Sequence, residues 1–441
     1  MGECSRGFRF VIGGLALVAW GLALAGPASA VTSTPVGPGV QCPNDLDNMP
    51  TGWSSGGAPG PEDNDRNGNG IFDADPNVKC VRLGVTDGTI RMSDGTFHYI
   101  FGFVDLTGVP EEHIVDYKYK ANLPAPTIEV KEGQDLYITE TNLGFFVRVD
   151  LADPHTLHFH GFPHAMAIFD GVPELSVMVP PYSDFTYYYK VNDPGTYPYH
   201  CHFEPTEHIQ LGMVGTIIVK PAQDTPSATF AYNDGGLAPN TQYDVAYNLL
   251  LQELDAEKHH NLDTIQEGQT QWHTFRPHYY TLNGRSYPDT VVSRDAPCLP
   301  GCMYNREDYF SQPISSLITA QPNQRVLIRL VNLGFQTHTV TIPGIRMHVV
   351  GEDAKLLRGP DPDGAGPLVG KDLSFKKTVY SMAGGKTADI IIDTTGLNPG
   401  ETYFLHAREL NKQSGLSRED QLAGAQSENQ NGMITEIRIV N

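Results

Sequence analysis

The two halves of this chain repeat each other, and that repeat limits its fold more than any other feature. "EVKEGQDLYITETNLGFF" at 129–146 is echoed by "TAQPNQRVLIRLVNLGFQ" at 319–336. "DPHTLHFHGF" pairs in the same way with "FQTHTVTIPGI", and "GTYPYHCHFE" with "GETYFLHARE". Short apolar and β-branched runs, separated by Gly, Pro, Asn and Asp, fill both halves. Runs of that kind fold as strands, and this spacing of strands and turns predicts β-sandwiches. A repeat this long is a duplicated domain and not a solenoid. The sequence therefore divides into a first domain at 85–220, a linker "PAQDTPSA", and a second domain at 229–441.

Two segments precede the first domain. Arg6 and Arg9, the apolar run "VIGGLALVAWGLALA" and the small residues "ASA" read as a signal peptide over 1–30. Its apolar run is short for a membrane span, so the mature chain is expected to be exported, with no span left after processing. Residues 31–84 form a Gly-, Pro-, Asp- and Asn-rich extension. Within it, Asp65, Asn67, Asn69 and Asp73 alternate around Gly70 like the opening of a calcium loop. Pro76 stands where the closing bidentate acid belongs. Lys258, His259 and His260 read as a surface run.

Six cysteines constrain the chemistry. Cys4 leaves with the signal. In an oxidising compartment Cys42 pairs with Cys80, and Cys298 with Cys302 in "CLPGC". Cys201 is left alone, inside "YHCHFEPTEHIQLGM". Alternate residues of a strand face opposite ways, so His200 and His202 share one side and Cys201 takes the other. One strand then serves two metal sites back to back. Cys201, His155, His208 and Met213 supply a thiolate, two imidazoles and a thioether, with His208 and Met213 expected on a loop. That donor set suits blue copper. His158 and His160 of "HTLHFHG" join His200 and His202 at the second site. Lys and Arg number 30 against 51 Asp and Glu, a net charge of −21. Such a chain repels nucleic acid and attracts a cationic substrate or a basic redox protein.

Over about residues 90–441 the chain resembles the multicopper oxidases, in particular the two-domain members with type 1 copper in the first domain. "HTLHFHGF", "DGVPE", "YPYHCHFEPTEHIQLGM" and "THTVTIPGIRMHVVGEDA" carry the resemblance. It implies an all-β chain of two tandem cupredoxin-like Greek-key β-sandwiches behind an N-terminal extension. It also implies type 1 copper at His155, Cys201, His208 and Met213. His158, His160, His200 and His202 would serve a type 2/type 3 cluster that reduces oxygen with electrons from a small reductant or redox protein. The family pattern is HCHxxxHxxxGM, and here His208 lies two residues further from Cys201.

A complete trinuclear cluster in the family takes HxH pairs from both domains. By the repeat, Thr341 and Pro343 stand where His158 and His160 stand. His406, Ala407 and Arg408 stand where His200, Cys201 and His202 stand. Only His338, His348 and His406 remain near the expected places, and the second domain has no type 1 set. Two-domain relatives form trimers with the cluster between subunits, and a homotrimer is expected here. One alternative is a blue-copper carrier without a complete cluster. Another resembles copper nitrite reductase, whose three-histidine site His160 and His200 would fit. Against it, His158 occupies that family's catalytic aspartate position, and Arg408 falls where its neighbouring histidine would be.

Overall fold

A computed structural model describes Cys42 and residues 76–151, 153–163, 165–293, 309–359, 370–414 and 432–441. The signal segment, the 65–73 loop and the Cys298–Cys302 pair lie outside the described residues.

The first sandwich is built from β1 (Val78–Arg91), β2 (Phe97–Asp105), β3 (Ile128–Lys131), β4 (Asp135–Asn142), β5 (His158–Phe159), β6 (Asp184–Lys190), β7 (Gly195–His200) and β8 (Val214–Lys220). One sheet runs β2-β1-β4-β6 and the other β3-β8-β7-β5. A two-stranded link follows, β9 (Thr229–Phe230) with β10 (Gln242–Tyr243).

The second sandwich comprises β11 (Val245–Leu254), β12 (Tyr279–Leu282), β13 (Ile318–Ala320), β14 (Arg325–Asn332), β15 (His338–Thr341), β16 (Met347–Glu352), β17 (Lys355–Leu356), β18 (Phe375–Lys377), β19 (Val379–Met382), β20 (Thr387–Asp393), β21 (Thr402–Ala407) and β22 (Ile434–Ile439). Its sheets contain the orders β11-β14-β20 and β13-β22-β21-β15. These match β1-β4-β6 and β3-β8-β7-β5 of the first sandwich strand for strand. The α-helices among the described residues are α1 (Pro205–Leu211), α2 (Ala256–Asp263) and α3 (Leu410–Ser414).

Period-two patterning produces these strands. In β22, Thr435, Ile437 and Ile439 are buried while the residues between them are half-exposed. Leu83, Phe101, Phe103, Ile138, Tyr187, Tyr199 and Val219 fill the first core. Leu249, Ile328, Leu330, Ile390, Met433 and Ile437 fill the second. Each such fully buried side chain stabilises the fold by roughly 1.5–3 kcal/mol.

β7 departs from the pattern, because all its residues are buried. Tyr197 and Tyr199 point into the first core. Thr196 points out against the second sandwich, where its hydroxyl donates to Asp389 (2.7 Å). Arg329 on β14 pairs with the same carboxylate at 3.2 Å, and both side chains are almost completely buried. Ile90, Ile100, Leu123, Val214, Leu250, Leu254 and Val331 form an apolar seam beside this contact. The strand that leads to Cys201 is thereby clamped on both faces.

Three expectations need correction. The first sandwich begins at Val78 and not at 85, because the stretch through Cys80 pairs in parallel with β4. Cys80 is joined by a disulfide to Cys42, their Cα atoms 6.1 Å apart. His208 lies on a helix, α1, and not on a loop. Lys258 and His259 are not at the surface: α2 buries both, and the His259 Nδ1 bonds the Tyr99 carbonyl of the first sandwich (2.6 Å).

Candidate metal centre

Two clusters form at the far end of β7. The strand stops at His200, yet the Cys201 N–H still donates to the Met213 carbonyl (3.2 Å). That bond keeps the alternation going for one more residue. The Cys201 thiol therefore enters the core side with Tyr197 and Tyr199, and the His200 ring takes the opposite face.

On the core side, Cys201 Sγ lies 3.3 Å from His208 Nδ1 and 3.8 Å from His155 Nδ1. All three side chains are buried, and their donor atoms are close enough to share one ion. His155 is fixed by a two-way bridge to Val179. His208 is fixed by α1, which opens at Pro205 and closes at Gly212. Gly212 has φ +120, and a Cβ there would meet the Phe101 carbonyl at 2.9 Å. Only glycine permits the close approach that returns the chain to Met213. The Met213 N–H bonds the His208 carbonyl (2.9 Å), and its side chain is fully buried in the same core.

Burial acts on these groups in opposite senses. It pushes the Cys201 thiol up to about 12, and the charge of Glu140 adds to that. It pulls His208 down to about 3 and His155 well below its ordinary value. The imidazoles are therefore neutral at pH 7, the form that ligates metal.

On the other face, ring nitrogens of His158, His160 and His200 converge within 4.8 Å of one another. His158 Nδ1 donates to the Asp170 carbonyl (2.6 Å) and His200 Nδ1 to the Cys201 carbonyl (2.8 Å). Each of these bonds turns Nε2 toward the shared space, where His200 Nε2 lies 3.4 Å from His160 Nδ1. Gly171 makes the first bond reachable, because a Cβ there would strike the Leu157 carbonyl. His202 stands beside this trio, its ring 5.0 Å from His158 and nearly parallel to His200 at 5.8 Å. It lies on the expected side but outside the converging set. Burial lowers His158, His160 and, to about 3, His200. His160 opens into a cleft of about 350 Å³ between the sandwiches, lined also by Asp353, Gly385 and Lys386.

The second sandwich repeats this skeleton without its donors. Thr341 pairs with His406 in the register in which His158 pairs with His200. His406 Nδ1 bonds the next carbonyl, as His200 does. The Ala407 N–H bonds the Met433 carbonyl, as Cys201 bonds Met213. The Met433 N–H bonds the Lys412 carbonyl, so Lys412 stands at the His208 position and His338 at that of His155. Alanine and lysine thus replace the thiol and the second imidazole. His338 Nε2 lies instead 2.5 Å from the equally buried Glu253 Oε1. His348 belongs to neither place, because it sits on β16 opposite Lys376.

Sequence reasoning missed three further groups. Asp153 and Glu207 bring carboxylate oxygens within 4.8 Å of a His208 ring nitrogen. Buried Glu140 lies behind the thiol cluster. Nothing in their local sequence marks them, since each is a single acid in an ordinary strand, loop or helix.

The chain is similar to known copper proteins. The family described as multicopper oxidase matches residues 109–224, which hold both clusters. Copper resistance protein A of Escherichia coli is 24% identical over 315 residues, covering 67% of this chain and 45% of that protein. The chain thus matches less than half of that relative's length. A copper-containing nitrite reductase of Neisseria meningitidis serogroup A is 26% identical over 150 residues, 33% of this chain and 31% of that one. Among solved structures, a blue copper oxidase from Nitrosomonas europaea superposes with a TM-score of 0.56 at 21% identity, covering 82% of this chain and 86% of that one. The fold they share is the cupredoxin sandwich.

Proposed function

We propose, from the premise that the first sandwich is a multicopper oxidase domain, that this chain is an exported copper-dependent oxidoreductase. His155, Cys201, His208 and Met213 would hold type 1 copper, and His158, His160, His200 and His202 a second copper site. The observation that carries this reading is the two clusters, set back to back at the end of β7. A buried thiol flanked by two neutral imidazoles and a thioether fits copper better than a hard cation. A carrier has no use for the second trio. When bound, copper supplies the one-electron chemistry that takes electrons singly from a reductant and passes them to dioxygen.

The protein contributes geometry and access. Cys201 and His200 are adjacent in sequence, so the two ligand sets are joined through covalent bonds. The His200 Nδ1 bond to the Cys201 carbonyl (2.8 Å) adds a second link between them. Apolar burial excludes water from the thiol, while the cleft beside His160 admits a small molecule to the second set. Asp153 and Glu207 beside His208 favour a positively charged reductant approaching on that side, in keeping with the net charge of −21.

The missing imidazoles at Thr341, Pro343 and Arg408 support assembly. A cluster larger than one ion takes its remaining donors from a second copy, and the reading is a homotrimer. Met166, Ile168 and Leu175, exposed on the loop that anchors His158 through Asp170, suit such a contact. Export is supported by the Cys42–Cys80 disulfide. No helix among the described residues is long and apolar enough to cross a membrane.

A second reading rests on the convergence of three rather than four histidine nitrogens. It is a single type 2 copper in the manner of the nitrite reductases. Oxygen uptake with a one-electron donor separates the possibilities. Cys201→Ser and His200→Ala should each abolish it. Full uptake by His200→Ala would leave the second site without a catalytic role, and a wild type that is reduced by the donor but takes up no oxygen would be a carrier. Nitrite consumption without oxygen uptake would establish the type 2 reading.

A further inference from the structure

The first core contains an acid that the fold does not need. Glu140 follows Leu136 and Ile138 on the inward face of β4 and is completely buried. Its Oε2 accepts a hydrogen bond from the Tyr187 hydroxyl (3.2 Å), while its Oε1 has no partner among the described residues. That hydroxyl in turn accepts the N–H of Leu157 (3.1 Å), which lies between the ligands His155 and His158. Glu140 makes no hydrogen bond to a ligand, but its charge bears on the Cys201 thiol. Leu83 of β1 is its register partner, and β1 also brings apolar Val85 to this core. The ionisable groups that reach Glu140 are Tyr187 from β6 and Cys201 from the end of β7.

The duplicate supplies an internal control. Leu330 occupies the Glu140 position, and Ile390, opposite Ile328 as Tyr187 is opposite Ile138, occupies that of Tyr187. Both are buried in the second core. The same sandwich therefore packs well with leucine and isoleucine, and an acid with an unmade hydrogen bond only weakens it. The acid–phenol pair occurs in the sandwich that keeps the cysteine, and its counterpart is apolar where alanine replaces that cysteine.

We propose that Glu140, held by Tyr187, is a proton-linked tuner of the type 1 site, protonated when the site is reduced and ionised when it is oxidised. This rests on the type 1 reading above. An electron from the reductant lowers the charge of the ligand set by one. One proton from water, taken up by the Glu140 carboxylate, restores the charge of the core. The ionised acid stabilises the more positive oxidised site and lowers its potential, and the neutral acid leaves it high. Burial raises the Glu140 carboxyl to about 8, so both forms exist near neutral pH.

The test is a redox titration of the copper-loaded protein, followed by its visible and paramagnetic signals, between about pH 5 and about pH 9. In the wild type the reduction equilibrium should fall with pH near the Glu140 transition, by up to tenfold per pH unit, about 59 mV for one electron. Glu140→Gln, and Glu140→Leu as in the duplicate, should give a flat profile at the acidic, high value. Tyr187→Phe removes a donor to the carboxylate and should move the transition to higher pH. A protonated-carboxyl infrared band should appear on reduction and be missing in Glu140→Gln. A blue wild type with a flat profile, or a Glu140→Gln protein that keeps the slope, overturns the proposal while leaving the type 1 site standing. A wild type that binds copper without blue colour overturns the type 1 reading and this proposal with it.

Discussion

At the scale of residues, burial decides which groups are ready for metal and which must be made ready. The imidazoles of His155, His200 and His208 are held neutral, whereas the Cys201 thiol is held protonated. An inert, buried thiol follows. In metal-free, folded protein, Cys201 should resist alkylation at neutral pH and react on unfolding; rapid labelling of the folded protein would show the cluster to be open. Glu140 gives a second prediction, with a definite sign. Its carboxyl is raised from 4.5 to about 8 on folding. Between those values the folded chain keeps a proton that the unfolded chain has released. Stability is therefore full below about 4.5 and falls as pH rises through about 8. Denaturant midpoints of the metal-free protein should decline over that window relative to Glu140→Gln, and parallel pH profiles for the two would refute the shift. Alternation made the two histidine clusters legible in the sequence, because HxH and HCH declare their faces. It could not reveal Glu140, since "YITETN" reads as an ordinary half-buried strand.

At the scale of elements, β7 is the member on which both clusters depend, and the second sandwich holds it. Asp389 accepts hydrogen bonds from Thr196, Tyr232 and Arg329 in a buried site. Removing one partner of a buried ion pair leaves the other charge stranded, at about 3–5 kcal/mol. Asp389→Ala should lower the unfolding free energy by that amount, read as a lower denaturant midpoint, and replacing Arg329 by Met in the same protein should recover much of it. An unchanged midpoint in Asp389→Ala would mean that the clamp contributes nothing. The β-strands were legible from period and turn residues, and the duplication from the echoed segments. α1 was not, because a seven-residue helix around His208 has no apolar stripe to mark it. The counterparts Lys412 and Met433 were hidden for another reason. In the first sandwich the matching residues, His208 and Met213, are five apart, whereas these two are separated by a long insertion. Only the shared hydrogen bonds identify them.

At the scale of the molecule, one sandwich holds donors and its copy has given them up. Ala407 and Lys412 replace the thiol and an imidazole, and Thr341 and Pro343 replace an HxH pair. On the proposed oxidase reading, a cluster of several ions takes its remaining donors from a neighbour, and sedimentation at micromolar concentration should find a trimer. A strict monomer that still consumes oxygen would contradict that assembly. The central claim, two different copper sites in one chain, is tested most directly by copper quantification with electron paramagnetic resonance on purified protein. The expected result is more than one copper per chain, with a type 1 signal lost in Cys201→Ser and a separate type 2 signal lost in His200→Ala. One copper per chain with a type 1 signal alone would contradict it.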